Sequence, residues 1–247
     1  MVNNPLLSLV ADLAAGTAAG ASCQSQKRAT HSAAALAQIA NSTPERVAQQ
    51  PGALPALVAA VAAGGGAAAP QLPSVVADSA FVLGQIASIG PELARRVADE
   101  PGALPALIAA MAAGGAAGVP KLHRAVLNSV VALEQVAFFV VNAVTREGSS
   151  ALALASPELA RRVAEEPGAL PALVAAVGAG DAAATPHLQV SARISAAALG
   201  HIATASAQLA RRVTGEPGAL PVLVAALAAG AAEAVGKVQG VAMNSAR

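Results

Sequence analysis

The chain has 247 residues and a formal net charge of +1, with 15 Lys and Arg residues against 14 Asp and Glu residues. This balance gives no electrostatic basis for binding nucleic acid or an anionic membrane, so neither is predicted as a partner. The single cysteine, Cys23, excludes an intrachain disulfide and a cysteine-based metal site. Hydrophobic residues make up 55 % of the chain but aromatic residues only 1 %, and this Ala-rich composition favours closely packed helices. We therefore expect an all-α fold.

The mean hydropathy of +0.58 raises the question of a membrane-spanning helix. Residues 52–70 carry no charge, but they include Pro55 and the run Gly64-Gly65-Gly66, which interrupt a spanning helix. No Lys or Arg precedes Lys27, so neither the basic segment of a secretory signal nor an Arg-rich transit peptide is visible. The sequence therefore predicts a soluble cytoplasmic protein.

One segment, residues 101–111 (PGALPALIAAM), occurs four times with small changes. The copies begin at Pro51, Pro101, Pro167 and Pro217. A shorter copy opens the chain when Pro5 is aligned with Pro55. The second prolines of the copies then follow one another at steps of 50, 50, 66 and 50 residues. A period of about 50 residues predicts a stacked array in which each unit packs on its neighbours.

Each unit is predicted to contain three helices joined by turns of Gly and Pro. In the unit that begins at residue 91, residues 91–100 start with a proline and have apolar residues four apart, which predicts a short helix. The Pro101-Gly102 corner ends this helix, and a second helix is expected over 105–113, stopped by Gly114-Gly115. From about Lys121, apolar residues at spacings of three and four predict a third helix.

The short first helices carry arginine pairs. These pairs are Arg95-Arg96, Arg161-Arg162 and Arg211-Arg212. One interpretation is a basic stripe that binds an acidic partner. The favoured interpretation is pairing with acids on the same helix, Arg95 with Asp99 and Arg96 with both Glu92 and Glu100. The pairs are therefore expected to form a solvated face.

The repeats divide the chain into a single array without separate domains. The divisions are a partial first repeat at 1–42, repeats at 43–90, 91–140 and 141–205, and a final repeat at 206–247 that stops inside a unit. The 16 extra residues of the longer step lie in an insertion at 138–156.

Residues 91–108 resemble the first and second helices of an armadillo repeat, and residues 78–88 (DSAFVLGQIAS) resemble its third helix. The resemblance covers nearly the whole chain and implies a right-handed α-solenoid of three-helix repeats, with HEAT-like stacking as the alternative. Armadillo proteins bind extended peptides in a concave groove lined by third helices, often through a Trp and an Asn four residues later. The Trp-like positions here are Ala34, Phe81, Val131 and Ala197. The Asn-like positions are Gln38, Gln85, Gln135 and His201.

The resemblance implies that a protein or extended peptide binds on the concave face. The residues expected to contact it are Gln38, Phe81, Gln85, Gln135 and His201. Gln donates and accepts hydrogen bonds to a peptide backbone as Asn does, whereas the missing Trp residues argue against an import receptor for basic signals. The alternative is that each third helix only needs a polar residue facing solvent.

The insertion offers a second predicted contact surface. Phe138 and Phe139 are two of the three aromatic residues of the chain. They are interpreted either as a docking surface for a partner or as part of a lengthened third helix that fills its own core.

No catalytic, cofactor-binding or metal-binding residue is predicted. The four histidines do not have the spacing of a metal site. Residues 230–237 differ from a phosphate-binding loop by one extra residue, and Val238 stands where Ser or Thr would bind Mg²⁺. We therefore predict a non-catalytic protein-interaction scaffold without a cofactor. The alternative is a structural subunit of a large cytoskeletal or ciliary assembly, with contacts through the ends of the array and the insertion.

Overall fold

The computed structural model describes residues 5–63, 72–116, 120–146, 156–182, 186–226 and 228. Within these ranges all regular secondary structure is helical, which confirms the predicted all-α class. The helices, in chain order, are α1 (Pro5–Thr17), α2 (Cys23–Ser42), α3 (Pro44–Gln49), α4 (Ala53–Ala63), α5 (Leu72–Ser88), α6 (Pro91–Asp99), α7 (Ala103–Ala116), α8 (Pro120–Arg146), α9 (Ser156–Glu165), α10 (Ala169–Ala182), α11 (Pro186–Ala205), α12 (Ala207–Gly215) and α13 (219–226).

Three kinds of helix alternate along the chain in a fixed order. A short helix (α3, α6, α9, α12) is followed by an Ala-rich second helix (α4, α7, α10, α13), and in the first three of these sets a long third helix (α5, α8, α11) follows. The long helices pack in series, α2 on α5, α5 on α8 and α8 on α11. The helices α1, α4, α7 and α10 pack in series beside them. Each of these helices therefore lies against its counterpart in the neighbouring unit.

The Pro-Gly corner between the first two helices is a type II turn. Gly102 has φ +80°, and the Ala103 N–H donates to the Glu100 carbonyl at 3.0 Å. With proline second and a left-handed glycine third, these four residues have the type II pattern. The turn recurs with φ between +78° and +82° at Gly52, Gly168 and Gly218. The predicted corner is confirmed, and α7 begins at Ala103, so Pro105 lies in the first turn, where a missing N–H costs no hydrogen bond.

The glycine pair Gly114-Gly115 does not stop the second helix as predicted. α7 continues through Gly114-Gly115 to Ala116, and α10 continues through Gly178 to Ala182. Glycine in a helix interior costs only about 1 kcal/mol relative to alanine. The neighbouring alanines are strong helix formers, so this cost is too small to end the helix.

The first copy of the repeat aligns differently in the structure than in the sequence. A methyl group added at Gly52 would lie 3.9 Å from Val10 Cγ1, and one added at Gly102 would lie 3.9 Å from Val58 Cγ1. Val10 therefore takes the place of Val58, 48 residues later, whereas the alignment of Pro5 with Pro55 uses a step of 50. Proline is tolerated throughout a first helical turn, so its position does not fix the register.

The second arginine of each of two pairs joins neighbouring units. Arg96 Nη2 donates to the Ala48 carbonyl at 3.1 Å, and Arg162 Nη2 donates to the Ala98 carbonyl at 2.8 Å. Arg162 also pairs with the Asp99 carboxylate. These contacts cross from one short helix to the preceding one.

The predicted pairing of arginines with acids on their own helix is correct for Arg161 and wrong for Arg95 and Arg96. Arg161 lies 3.1 Å from Glu158 and 3.7 Å from Glu165 on its own helix. In the described α6, Arg95 makes no ion pair with Asp99, and Arg96 makes none with Glu92 or Glu100. Arg96 is directed to the preceding unit because an unpaired backbone carbonyl is available there.

Candidate functional site

The candidate site lies on one face of the long helices. On α5, Phe81 and Gln85 are partly exposed, whereas Val82, Leu83 and Ile86 are buried. Residues four apart lie on the same side of a helix. Phe81 and Gln85 therefore form the open side of α5, and the residues around them form its packed side.

The equivalent residues of the other long helices have the same environment. On α2, Ala34 and Gln38 are exposed; on α8, Val131 and Gln135 are partly exposed; on α11, Ala197 is exposed and His201 partly exposed. Since α2, α5, α8 and α11 pack in series, these side chains lie on the open face of one layer of helices. We call this surface the third-helix face. It contains the predicted contact residues Gln38, Phe81, Gln85, Gln135 and His201.

Two of the predicted residues meet around a third residue, Glu134. Gln135 Nε2 donates to Glu134 Oε2 at 2.7 Å, and His201 Nε2 lies 3.6 Å from Glu134 Oε1. The side chains of Glu134 and His201 are only 13 % and 22 % exposed. The cluster thus connects α8 to α11 across the third-helix face, and Gln38 and Gln85 lie on other helices of the same face.

Partial burial acts on both titratable groups of this cluster. Burial raises the pKa of the Glu134 carboxyl above its ordinary value, and the hydrogen bond from Gln135 opposes this effect. Burial lowers the pKa of the His201 imidazole below its ordinary value. Burial therefore favours the uncharged form of each group.

Glu134 was not among the predicted residues, although the sequence contains a signal for it. The same position in the other long helices is occupied by Ala37, Gly84 and Gly200. A methyl group added at Gly84 would lie 3.4 Å from the Ala132 Cα atom, so α5 and α8 leave little room there. A charged residue at a position otherwise held by Ala or Gly marks the one long helix that differs.

A second polar cluster lies between α5 and α8. Arg124 Nη2 lies 2.8 Å from Asp78 Oδ1, and Asn128 Nδ2 donates to the Ala77 carbonyl at 2.7 Å. The Asp78 side chain is 9 % exposed, and burial raises its pKa although the Arg124 charge opposes this shift. Arg124 precedes Val131 by seven residues, or about two helical turns, and so belongs to the third-helix face.

The predicted docking residues of the insertion cannot be placed in this site. Phe138 and Phe139 lie in α8, which runs to Arg146, but their side chains fall outside the described part of the chain, as do residues 147–155. The backbone shows that the third helix is lengthened here.

The described side chains provide hydrogen-bonding groups and charges on this face. The third-helix face offers carboxamide, imidazole, carboxylate and guanidinium groups. In the described ranges, no group of three His, Cys, Asp or Glu side chains is arranged to hold a metal ion. No helix within those ranges is both long and apolar enough to cross a membrane.

Comparison with protein-family models, with curated proteins and with solved structures gives no match for this chain.

Proposed function

We propose that the chain is a non-catalytic scaffold that binds an extended peptide or a partner protein on the third-helix face. In this proposal the array is a right-handed, armadillo-like α-solenoid, and the third-helix face is its concave side. The protein acts in the cytoplasm and needs no cofactor. The observation that carries the proposal is the row of Gln38, Gln85, Gln135 and His201, which recurs on the open side of four helices packed in series.

The chemistry of this row suits a peptide backbone. A backbone presents one donor and one acceptor per residue, and Gln offers both a donor and an acceptor in one side chain. Gln135 Nε2 donates to Glu134, and the Gln135 side-chain oxygen is the acceptor that a peptide N–H would use. Phe81 adds partly exposed apolar area beside Gln85, where a ligand side chain can pack.

The order of helices supports the armadillo-like arrangement. A short helix, a type II Pro-Gly corner, a second helix and a long third helix follow one another in the units of α3 to α5 and α6 to α8. Packing of each long helix on its counterpart is the arrangement expected of a repeat array. The residues that support this arrangement are the Asn-like positions of the resemblance. At these positions the chain has Gln or His, where armadillo proteins often have Asn.

Selection from a displayed random-peptide library tests the proposal. Peptides that bind the full chain are measured against the double variant Gln85→Ala/Gln135→Ala. Each lost hydrogen bond is worth about 0.5–1.5 kcal/mol, so we expect the affinity to fall roughly tenfold or more. The matched control is Gln49→Ala, because Gln49 is exposed on α3, away from the third-helix face. Equal affinity of the wild type and the double variant for every selected peptide would falsify binding through this face.

A second candidate function is favoured by one observation. Leu220 and Val224 on α13 are 52 % and 63 % exposed, whereas the equivalent Leu170 and Val174 are 4 % and 7 % exposed. In two earlier units the equivalent Val58 and Ile108 lie 3.9 Å from a methyl group added at the corner glycine of the following unit, and a unit of another chain offers the same kind of cover. A structural subunit of a cytoskeletal or ciliary assembly would use this surface. Light scattering on Leu220→Gln/Val224→Gln tests it: oligomers formed by the wild type should dissociate, and a monomeric wild type contradicts this function.

A further inference from the structure

An apolar cavity of about 310 Å³ lies between two neighbouring units. Its walls come from four helices: Met111 on α7, Val126 on α8, a row of alanines that includes Ala172 and Ala176 on α10, and Leu188 on α11. Among the described lining residues, Ser191 on α11 is the one with a polar side chain, and none of them carries a charge. The cavity is on the packed side of the long helices, apart from the third-helix face.

The alanines of α10 that line the cavity are more exposed than the corresponding alanines of α7 in the preceding unit. Ala172 and Ala176 correspond to Ala106 and Ala110, 66 residues earlier, at the same places in the repeat. Ala106 and Ala110 are buried, at 5 % and 3 % exposure, whereas Ala172 and Ala176 are only partly buried. The same small side chains are thus covered on α7 and face open space on α10.

We infer that this cavity is a binding site for a small, uncharged apolar molecule. An apolar cavity of about 150 Å³ in another protein stays dry and binds benzene, and ligand pockets of proteins begin at about 300 Å³. A cavity of about 310 Å³ therefore accepts a molecule about twice the size of benzene and lies at the lower end of the range of ligand pockets. The described lining residues offer no charge to an ion, and a buried unpaired charge is strongly unfavourable, so the inferred ligand is uncharged.

The site is independent of peptide binding. Its residues lie on α7 and α10 and on the inner sides of α8 and α11, and none belongs to the row of Gln38, Gln85, Gln135 and His201. Loss of one binding activity therefore leaves the other testable in the same chain.

The repeat supplies a matched pair of variants for the test, Ala176→Leu and Ala110→Leu. The melting temperature of the full chain is measured by circular dichroism with benzene, with naphthalene and with benzoate, and binding heats are measured for benzene. We expect the two hydrocarbons to raise the melting temperature of the wild type and benzoate to leave it unchanged. Ala176→Leu fills the cavity, so it should keep or raise the melting temperature and abolish the benzene effect.

Ala110→Leu places the same side chain at a position that is 3 % exposed and is not among the lining residues of the cavity. It should lower the melting temperature through overpacking, while any folded protein keeps its benzene response. The inference is overturned if neither hydrocarbon changes the melting temperature of the wild type. It is also overturned if Ala176→Leu is as destabilising as Ala110→Leu, or if the benzene response survives in Ala176→Leu.

Discussion

Arg162 on α9 donates from Nη2 to the carbonyl of Ala98 on α6, 2.8 Å away and 64 residues earlier. Ala98 is next to the last residue of α6, so its carbonyl has no acceptor role inside that helix. The guanidinium thus caps the C-terminus of the preceding short helix and places a positive charge at the negative end of its dipole. Arg96 does the same for Ala48 on α3.

Replacing Arg162 with Ala should lower the free energy of unfolding by about 1–2 kcal/mol, because a charged hydrogen bond between units is lost. Urea denaturation followed by circular dichroism measures this. The matched control is Arg161→Ala, whose partners Glu158 and Glu165 are exposed and lie on the same helix, so a loss below about 0.5 kcal/mol is expected. An equal loss of unfolding free energy in the two variants would show that the bond from Arg162 to the Ala98 carbonyl contributes no more than the exposed ion pairs of Arg161.

Replacing Gly102 with Ala should destabilise the protein by about 1–2 kcal/mol, since an L-residue at φ +80° is strained. The added methyl group itself would meet Val58 Cγ1 only at 3.9 Å, so the cost is conformational and not steric. Gly90→Ala is the control: Gly90 has an extended φ of 176°, and nothing lies within 4 Å of the added methyl group. Thermal denaturation should separate the two, and a harmless Gly102→Ala would contradict the type II turn.

Replacing Ser129 with Ala should raise the free energy of unfolding by about 1 kcal/mol. The Ser129 hydroxyl is buried and has no hydrogen-bond partner among the described residues, and an unsatisfied buried hydroxyl costs about 1–3 kcal/mol. Ser79 and Ser195, at the equivalent position, should behave alike. The control is Ser42→Ala, an exposed site whose hydroxyl donates to the Ile39 carbonyl. A marked loss of stability in Ser129→Ala would show that the hydroxyl has a partner.

Replacing Glu134 with Gln should stabilise the protein at pH 7 more than at pH 4. Because burial raises the pKa of Glu134, its ionisation costs stability above the raised pKa and costs nothing below the ordinary value of 4.5. The advantage of the variant should therefore appear as the pH rises through the raised pKa. Urea denaturation at both pH values measures the difference, and His201, whose pKa burial lowers, is present in both proteins. An advantage that grows in acid would reverse the assigned direction.

The features that the sequence predicted correctly depend on local chemistry. Proline at a helix start and glycine at a left-handed turn act within a few residues, so the short helix at Pro91 and the corner at Gly102 were predictable. The positions of Gln85 and Gln135 came from the resemblance to armadillo repeats, and both side chains are partly exposed in the structure. The helix stop at Gly114-Gly115 was wrong because the cost of glycine is small beside a run of alanines.

The features that the sequence did not predict depend on contacts between units. Arg96 turns to Ala48 because a free carbonyl lies there, which spacing within one helix does not reveal. The link from Glu134 to His201 needs α8 and α11 side by side, since these residues are 67 positions apart. A comparison of repeats would have marked Glu134 as an exception, but its partner is visible only after packing.

The Pro-Gly corners also bear on how such a chain changes length. A methyl group added at Gly52, Gly102 or Gly168 would lie 3.9 Å from a branched side chain of the preceding unit, namely Val10, Val58 and Ile108. Each of these junctions therefore pairs the same kind of Pro-Gly corner with a valine or isoleucine of the preceding unit. Unequal recombination between two near-identical PGALP segments would remove or add a whole unit and still join a Pro-Gly corner to a valine or isoleucine. A gene of this kind can gain or lose a complete unit in one genetic event, without an intermediate that lacks a packed core.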